Sequence, residues 1–277
     1  MQPNFGLSIP ALSRFSFLRV LIAVFAIAIA IAFADQAEAR QSIEPEIRPA
    51  STSVSPLDFD LRQGATFNLN ITNHGFSVSG QYRYVIGPHT QWVSEAGFGT
   101  LNDSREQAFV TWFGQQIIPN KFNRVFNFPI MTGVRQRMLA NYIEDNFRFY
   151  ATGMLGASFS FVYPYFEDLI LESGEPAQVQ LPSSRIYDVF QGWSDGSWQT
   201  GWSGKFALAV EFGQTFNTLT ALEFGVMGHY FPSGIQIMEP NRLVEGPTGL
   251  EIERGTGFPP QKFFLTPTIT LMFGGMW

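Results

Sequence analysis

A chain of 277 residues with 16% aromatic and only 14% charged side chains, 26 Gly and no Cys is neither a disordered polymer nor a disulfide-stapled scaffold. A formal net charge of −6 argues against a nucleic-acid partner, which would need Lys and Arg clustered on one face, and three His without Cys argue against a structural zinc site. Beyond residue 39 no apolar run approaches the eighteen or so residues of a membrane helix, so a helical membrane architecture is excluded as well.

At the amino terminus, Arg14 and Arg19 precede an uninterrupted apolar stretch over residues 20–34, and Ala37-Glu38-Ala39 follows with small residues at the spacing a signal peptidase accepts. Residues 1–39 therefore read as a cleaved signal peptide, with cleavage after Ala34 and a retained signal anchor as the competing readings. Residues 40–60, with Pro45, Pro49 and Pro56 among Ser and Thr, show no period and read as a flexible periplasmic leader.

Residues 61–277 alternate with period two. Apolar faces fall at Ala65 to Ile71, Phe76 to Ile86, Trp92 to Phe98, Phe126 to Val134, Phe147 to Phe161, Phe206 to Phe212 and Leu222 to Tyr230. The eighth segment is the clearest: Phe263, Leu265, Pro267, Ile269, Leu271, Phe273, Gly275 and Trp277 line one face, with Thr266, Thr268 and Thr270 opposite. Alternation of that length, ending in an aromatic residue, suits a bilayer-crossing strand of roughly 9 to 11 tilted residues.

The opposite faces are polar throughout: Asn68 and Asn70, Gln81 and Arg83, Glu95, Arg135 and Arg137, Arg148, Lys205, Glu211, Glu223 and His229. A soluble sandwich would alternate in the same way, but bulky aromatics at both ends of several apolar faces match the girdles of a membrane barrel. The expected fold is all-β, an antiparallel up-and-down barrel of about eight strands. Connections near residues 73–75, 87–89, 139–146 and 214–216 are short, whereas 101–123, 164–201 and 231–260 are long. The long ones share one end, as they do in barrels with short periplasmic turns and long outer loops.

Three segments carry a resemblance: Leu222-Glu223-Phe224-Gly225-Val226, Ile235-Gln236-Ile237-Met238, and the close from Gln261-Lys262-Phe263-Phe264 through Leu271-Met272-Phe273-Gly274-Gly275-Met276-Trp277. With these the chain resembles small outer-membrane β-barrel proteins, in particular the uncharacterised eight-stranded barrels of Bacteroidetes-type envelopes. The resemblance implies the fold and assembly into the outer membrane of a Gram-negative cell, and it implies no catalytic residue. The insertion at residues 240–260 departs from the family pattern.

An eight-stranded barrel has an interior just wide enough for side chains to fill. The inward Arg83, Arg135, Arg148 and Lys205 are therefore expected to be neutralised by Glu95, Glu211 and Glu223, with His229 on the same face, in a lumenal network that leaves no open pore. A narrow channel is the sharper alternative. A turn at residues 214–216 would set Glu223 opposite Ala207 and diagonal to Lys205. Glu223, His229 and Ser233 raise the alternative of a lipid hydrolase. Outer-membrane lipid A deacylases use His and Ser on a small barrel, but their closely spaced His-x-Ser pattern is missing, and alternation points His229 away from lipid. The expectation is no enzyme and no cofactor.

Any partner should meet the long loops. The fifth connection combines acidic residues such as Asp168, Glu172 and Asp195, which could hold divalent cations bridging lipopolysaccharide, with Tyr187, Phe190, Trp193 and Trp198. Such aromatics are costly to leave in water, and they predict contact with an envelope protein or glycan partner or packing on the rim. Outer-membrane lipid and lipopolysaccharide should surround the wall. The barrel-assembly machinery should recognise the last strand through Phe273 and Trp277, by adding it as an edge strand.

Overall fold

Each of the eight alternating segments is a strand in the computed structural model, which describes residues 53–110, 116–140, 142–143, 146–165, 177–179, 190, 192–246 and 249–277. In chain order they are β1 (Gln63–Thr72), β2 (Gly75–Gly87), β3 (Thr90–Thr100), β6 (Asn123–Met138), β7 (Phe147–Pro164), β8 (Ser197–Phe212), β9 (Thr218–Ile235) and β12 (Gln261–Met276). Two short pairs lie in the long connections: β4 (Phe109–Val110) with β5 (Gln116–Ile117), and β10 (Arg242–Gly246) with β11 (Gly249–Glu253). Each barrel strand pairs antiparallel with its neighbour, and β12 returns to β1 from Gly64↔Met276 to Thr72↔Thr268, closing the sheet.

Closure satisfies every ladder and leaves no edge, and alternation then decides what each face meets. Phe67, Leu69, Phe206 and Leu208 point outward and are exposed, Leu155 to 75%, while Arg83, Arg135 and Glu223 point inward and are fully buried. A continuous apolar wall around a charged interior is the reverse of a soluble protein, and only hydrocarbon makes it stable. The fold is a membrane-spanning antiparallel up-and-down barrel with short periplasmic turns and long outer loops.

The interior is filled at three levels. Near the turns, Leu61, Val85, Phe216, Leu219 and Met276 pack together; at mid-height, Val93, Met131, Met154 and Met227; near the loops, Leu101, Val125, Val162, Phe231, Ile235, Ile237 and Phe264.

Four sequence expectations change. Part of the expected leader is ordered: Ser53–Arg62 fold across the turn end as a one-turn 3-10 helix, Pro56–Phe59, with a Ser55–Asp58 capping box and Pro at its start. Val54 and Leu57 seat it on the lower apolar cluster, and Arg137 donates to the Val54 carbonyl at 2.7 Å. Second, β8 starts at Ser197 and β9 runs to Ile235, so Trp198, expected in the fifth connection, stands on the barrel wall. Third, the β8–β9 turn occupies residues 213–217, which places Glu223 opposite Ala209 and Lys205 opposite Met227. A two-residue slip keeps every side chain on its face. Fourth, two of the long connections are shorter than expected, 165–196 and 236–260, and the pairs β4–β5 and β10–β11 form within two of the three. The signal-peptide segment, the leader up to residue 52 and Tyr187 lie outside the described residues.

Candidate functional site

Seven inward side chains from six strands meet in one layer. Glu211 on β8 accepts from Arg83 of β2 at 2.9 Å and from Arg148 Nε of β7 at 3.1 Å, and lies 3.7 Å from Arg135 of β6. Glu223 on β9 is 3.3 Å from Arg135 and 2.8 Å from Lys205, whose ammonium also reaches Glu95 of β3 at 3.1 Å. Gln81 joins the two halves, donating to Glu95 at 3.1 Å and accepting from Arg83 Nε at 2.8 Å. The Lys205–Glu223 pair forms despite the shifted register because both side chains are long and point into a narrow lumen.

Four cations share three carboxylates, and the surplus charge is spread over weaker partners. Arg135 stacks 4.3 Å from the Tyr150 ring centroid, and Arg148 lies 4.4 Å from that of Phe216. Arg148 also donates to the carbonyls of Gly213 and Thr215, in a turn where Gly213 adopts φ +145°, a conformation that side chains rarely tolerate. Burying each of these ions costs several kcal/mol, which mutual attraction and a full set of hydrogen bonds offset only when the layer is complete.

His229 stands apart from the charges. Its Nε2 is 3.5 Å from Asn127 Nδ2 and its Nδ1 is 2.8 Å from Ser203 Oγ and 3.4 Å from Ser158 Oγ. Asn127 Oδ1 accepts from Ser158 at 2.6 Å and from Ser160 at 2.9 Å, which turns the Asn127 amide toward Nε2. Nε2 is then the acceptor and Nδ1–H donates to Ser203, the opposite of a base that would draw a proton from a serine. Ser233 is exposed and donates to Gln199 at 3.0 Å, while both Glu223 oxygens are held by cations. The Ser233–His229–Glu223 alignment that lipid hydrolysis would use is not formed. Ser203, Ser158 and Asn127 were legible only as inward positions on neighbouring strands; nothing in their spacing joins them to His229.

A cavity of about 40 Å³ lies beside this cluster, lined by His74, His229, Glu95, Ser79, Asn127 and Thr266 among others. His74, in the β1–β2 turn, accepts the Asn102 amide on Nδ1 at 3.2 Å, so its Nε2 carries the proton of the neutral form and has no protein partner among the described residues. Burial, and secondarily the Lys121 charge, hold its pKa below the ordinary histidine value.

The loop end is a built surface. The segment after β9 tucks in, with the Phe122 and Asn123 amides both donating to the Ile237 carbonyl at 2.8 and 2.9 Å and Glu239 N–H donating to the Asn120 carbonyl at 2.8 Å. Lys121 pairs with Glu106 at 2.8 Å, and Arg105 pairs with Asp103 at 2.5 Å while reaching the Pro259 carbonyl. Beside this cap runs an aromatic band. Trp193 meets Phe126, Phe161, Tyr163 and Phe190 edge-on, while Trp198 packs on Phe128 at 5.7 Å and Phe161 at 5.1 Å. Gly196 permits this approach, since a Cβ there would fall 2.2 Å from the Phe161 ring. The described aromatics of the fifth connection thus pack on the outer wall, while Phe190 keeps 69% and Trp193 41% of its surface exposed.

At the seam, Trp277 N–H donates to the Gln63 carbonyl at 2.8 Å and receives the Gln63 N–H at 2.9 Å, and Phe273 faces Phe67 across the ladder. Both terminal aromatics point to lipid, Trp277 60% exposed.

No protein-family model matches the chain, and no curated protein matches its sequence. Among solved structures it is similar to the attachment invasion locus protein Ail of Yersinia pestis, solved with the heparin analogue sucrose octasulfate, at 9% identity over 78% of this chain and 97% of that one, with a TM-score of 0.35. It is likewise similar to Neisserial surface protein A, at 11% identity over 78% and 96% of the two chains, with a TM-score of 0.36.

Proposed function

We propose that the chain is a sealed barrel of the Gram-negative outer membrane, exported by a cleaved signal peptide over residues 1–39, that presents its outer loops to an envelope protein or glycan and neither conducts nor catalyses. The observation that supports this reading most is the filled interior: a layer of ion pairs lies between two apolar clusters. A lumen occupied in this way is scaffolding, and the surface variety left to the molecule is at its outer rim. The resemblance to uncharacterised barrels of Bacteroidetes-type envelopes fits the same reading. Phe190 and Trp193 are the candidate contacts among the described residues, with Tyr187 beside them in sequence.

Affinity purification from native membranes in mild detergent tests the proposal. A stoichiometric envelope protein or glycan that is retained by the wild type and lost with Phe190→Ala/Trp193→Ala, in a barrel that stays heat-modifiable on gels, is the expected outcome. Stepwise single-channel conductance in planar bilayers, or turnover of labelled lipid A, would overturn it.

A further inference from the structure

On the lipid-facing wall, Ala65 of β1, Gly80 of β2 and Ala96 of β3 are neighbouring positions without large side chains, although the residue directly across from Gly80 on β1 is Phe67. Gly80 lies directly opposite Ala96 and one step diagonal from Ala65, and Ala96 lies opposite Ile130 on β6. Elsewhere this part of the wall carries Phe67, Leu69, Tyr82, Tyr84 and Phe98. The result is an apolar groove of about 380 Å³, lined by Ala65, Gly80, Tyr82, Ser94, Ala96 and Ile130. Nothing inside the protein requires the glycine: an added Cβ at Gly80 meets no atom within 4 Å, and its φ lies outside the left-handed region. The missing side chain leaves room outside the molecule.

The periplasmic end of the groove is polar. Tyr82 Oη donates to Gln63 Oε1 at 3.1 Å, and Arg62, next to Gln63, is exposed with no side-chain partner among the described residues. Arg62 is three residues from Ala65, about 10 Å at the rise of a strand. An exposed guanidinium at the membrane edge, about 10 Å below an apolar trough, matches a phosphate attached to an acyl chain. The leaflet at this end is phospholipid; lipid A occupies the other.

We propose that this groove seats one acyl chain of a periplasmic-leaflet phospholipid whose phosphate pairs with Arg62. The inference rests on the membrane reading above and adds a specific lipid to it. Anionic headgroups gain most from Arg62. Bulk lipid covers the rest of the wall without residence.

The test is native mass spectrometry of the mature barrel extracted from vesicles of phosphatidylethanolamine and phosphatidylglycerol. Wild type is expected to keep one phospholipid at collision energies that strip the others, Arg62→Ala to need several-fold more lipid for the same occupancy, and Gly80→Leu/Ala96→Leu to keep none. Because the chain has no Cys, Ala96→Cys can also be labelled with a bulky thiol reagent after insertion, blocking the groove in an already folded barrel. Equal retention by wild type and the labelled protein would overturn the proposal, as would a wild-type dimer that the label dissociates, which would assign the groove to a second copy. A wild type that inserts into vesicles and keeps no lipid removes the groove alone; one that does not insert removes the membrane reading with it.

Discussion

Glu211 holds three arginines in the centre of the lumen, and this single carboxylate decides whether their burial is tolerable. Glu211→Ala should cost about 3–5 kcal/mol, the scale of stranding buried charge, read as a shift in the urea midpoint for unfolding from vesicles. His74 makes the complementary prediction at the outer mouth. Its folded pKa lies below the unfolded value of about 6.5, so the stability it contributes is present above pH 6.5 and is lost as the pH falls through the lower folded value. Protonating Nδ1 would also break the bond from the Asn102 amide. The protection factor of the Asn102 amide should therefore fall in the wild type as the pH drops below about 6.5, and should lose that pH dependence in His74→Gln. The members of the charge layer could be read from parity along each strand, because a residue two places from an inward one is inward. His74 could not, since a turn residue has no period to betray its direction.

At the level of the strand, facing controls cost. Phe224→Arg, at a lipid-facing position of β9, should destabilise the barrel by about 2–4 kcal/mol, whereas Thr268→Ser on the lumenal face of β12 should be mild; equal losses in vesicle unfolding would contradict the assigned faces. Deleting residues 273–277 removes the Phe67↔Phe273 pair and the paired bonds between Trp277 and Gln63, and should abolish heat-modifiable protein in the membrane fraction. Strand existence was legible because aromatic and β-branched residues alternate for many positions. Strand ends were not. Gly201 closes the connection expected at residues 164–201, yet it lies within β8; a Cβ there would fall 2.4 Å from the Tyr230 carbonyl oxygen, so the glycine marks a close approach of β8 and β9. The 3-10 helix at Pro56–Phe59 was hidden for a related reason: its prolines suggested a linker, while the Ser55-Pro56-Leu57-Asp58 capping pattern signalled a helical start.

Across the whole molecule, the barrel is obstructed in series by the 3-10 cap, the ion-pair layer and the outer apolar cluster. Removing residues 53–60 should expose Phe216 and Leu219 to water and lower stability, yet leave planar-bilayer conductance at baseline, because the salt-bridged layer still fills the cross-section; an open channel in that variant would make the cap the gate. The seam has a different consequence, one of timing. Thr270 donates to Asn70 at 2.7 Å across 200 residues of chain, so the contacts that complete the cylinder join the first strand to the last. Such distant pairing is slow to find. Until the final strand is synthesised, β1 is a bare edge over an apolar face, open to pairing with any other nascent copy. Closure on itself therefore competes with pairing to a neighbour, and the yield of closed barrel should depend on the concentration at which chains meet as well as on the depth of the final energy well.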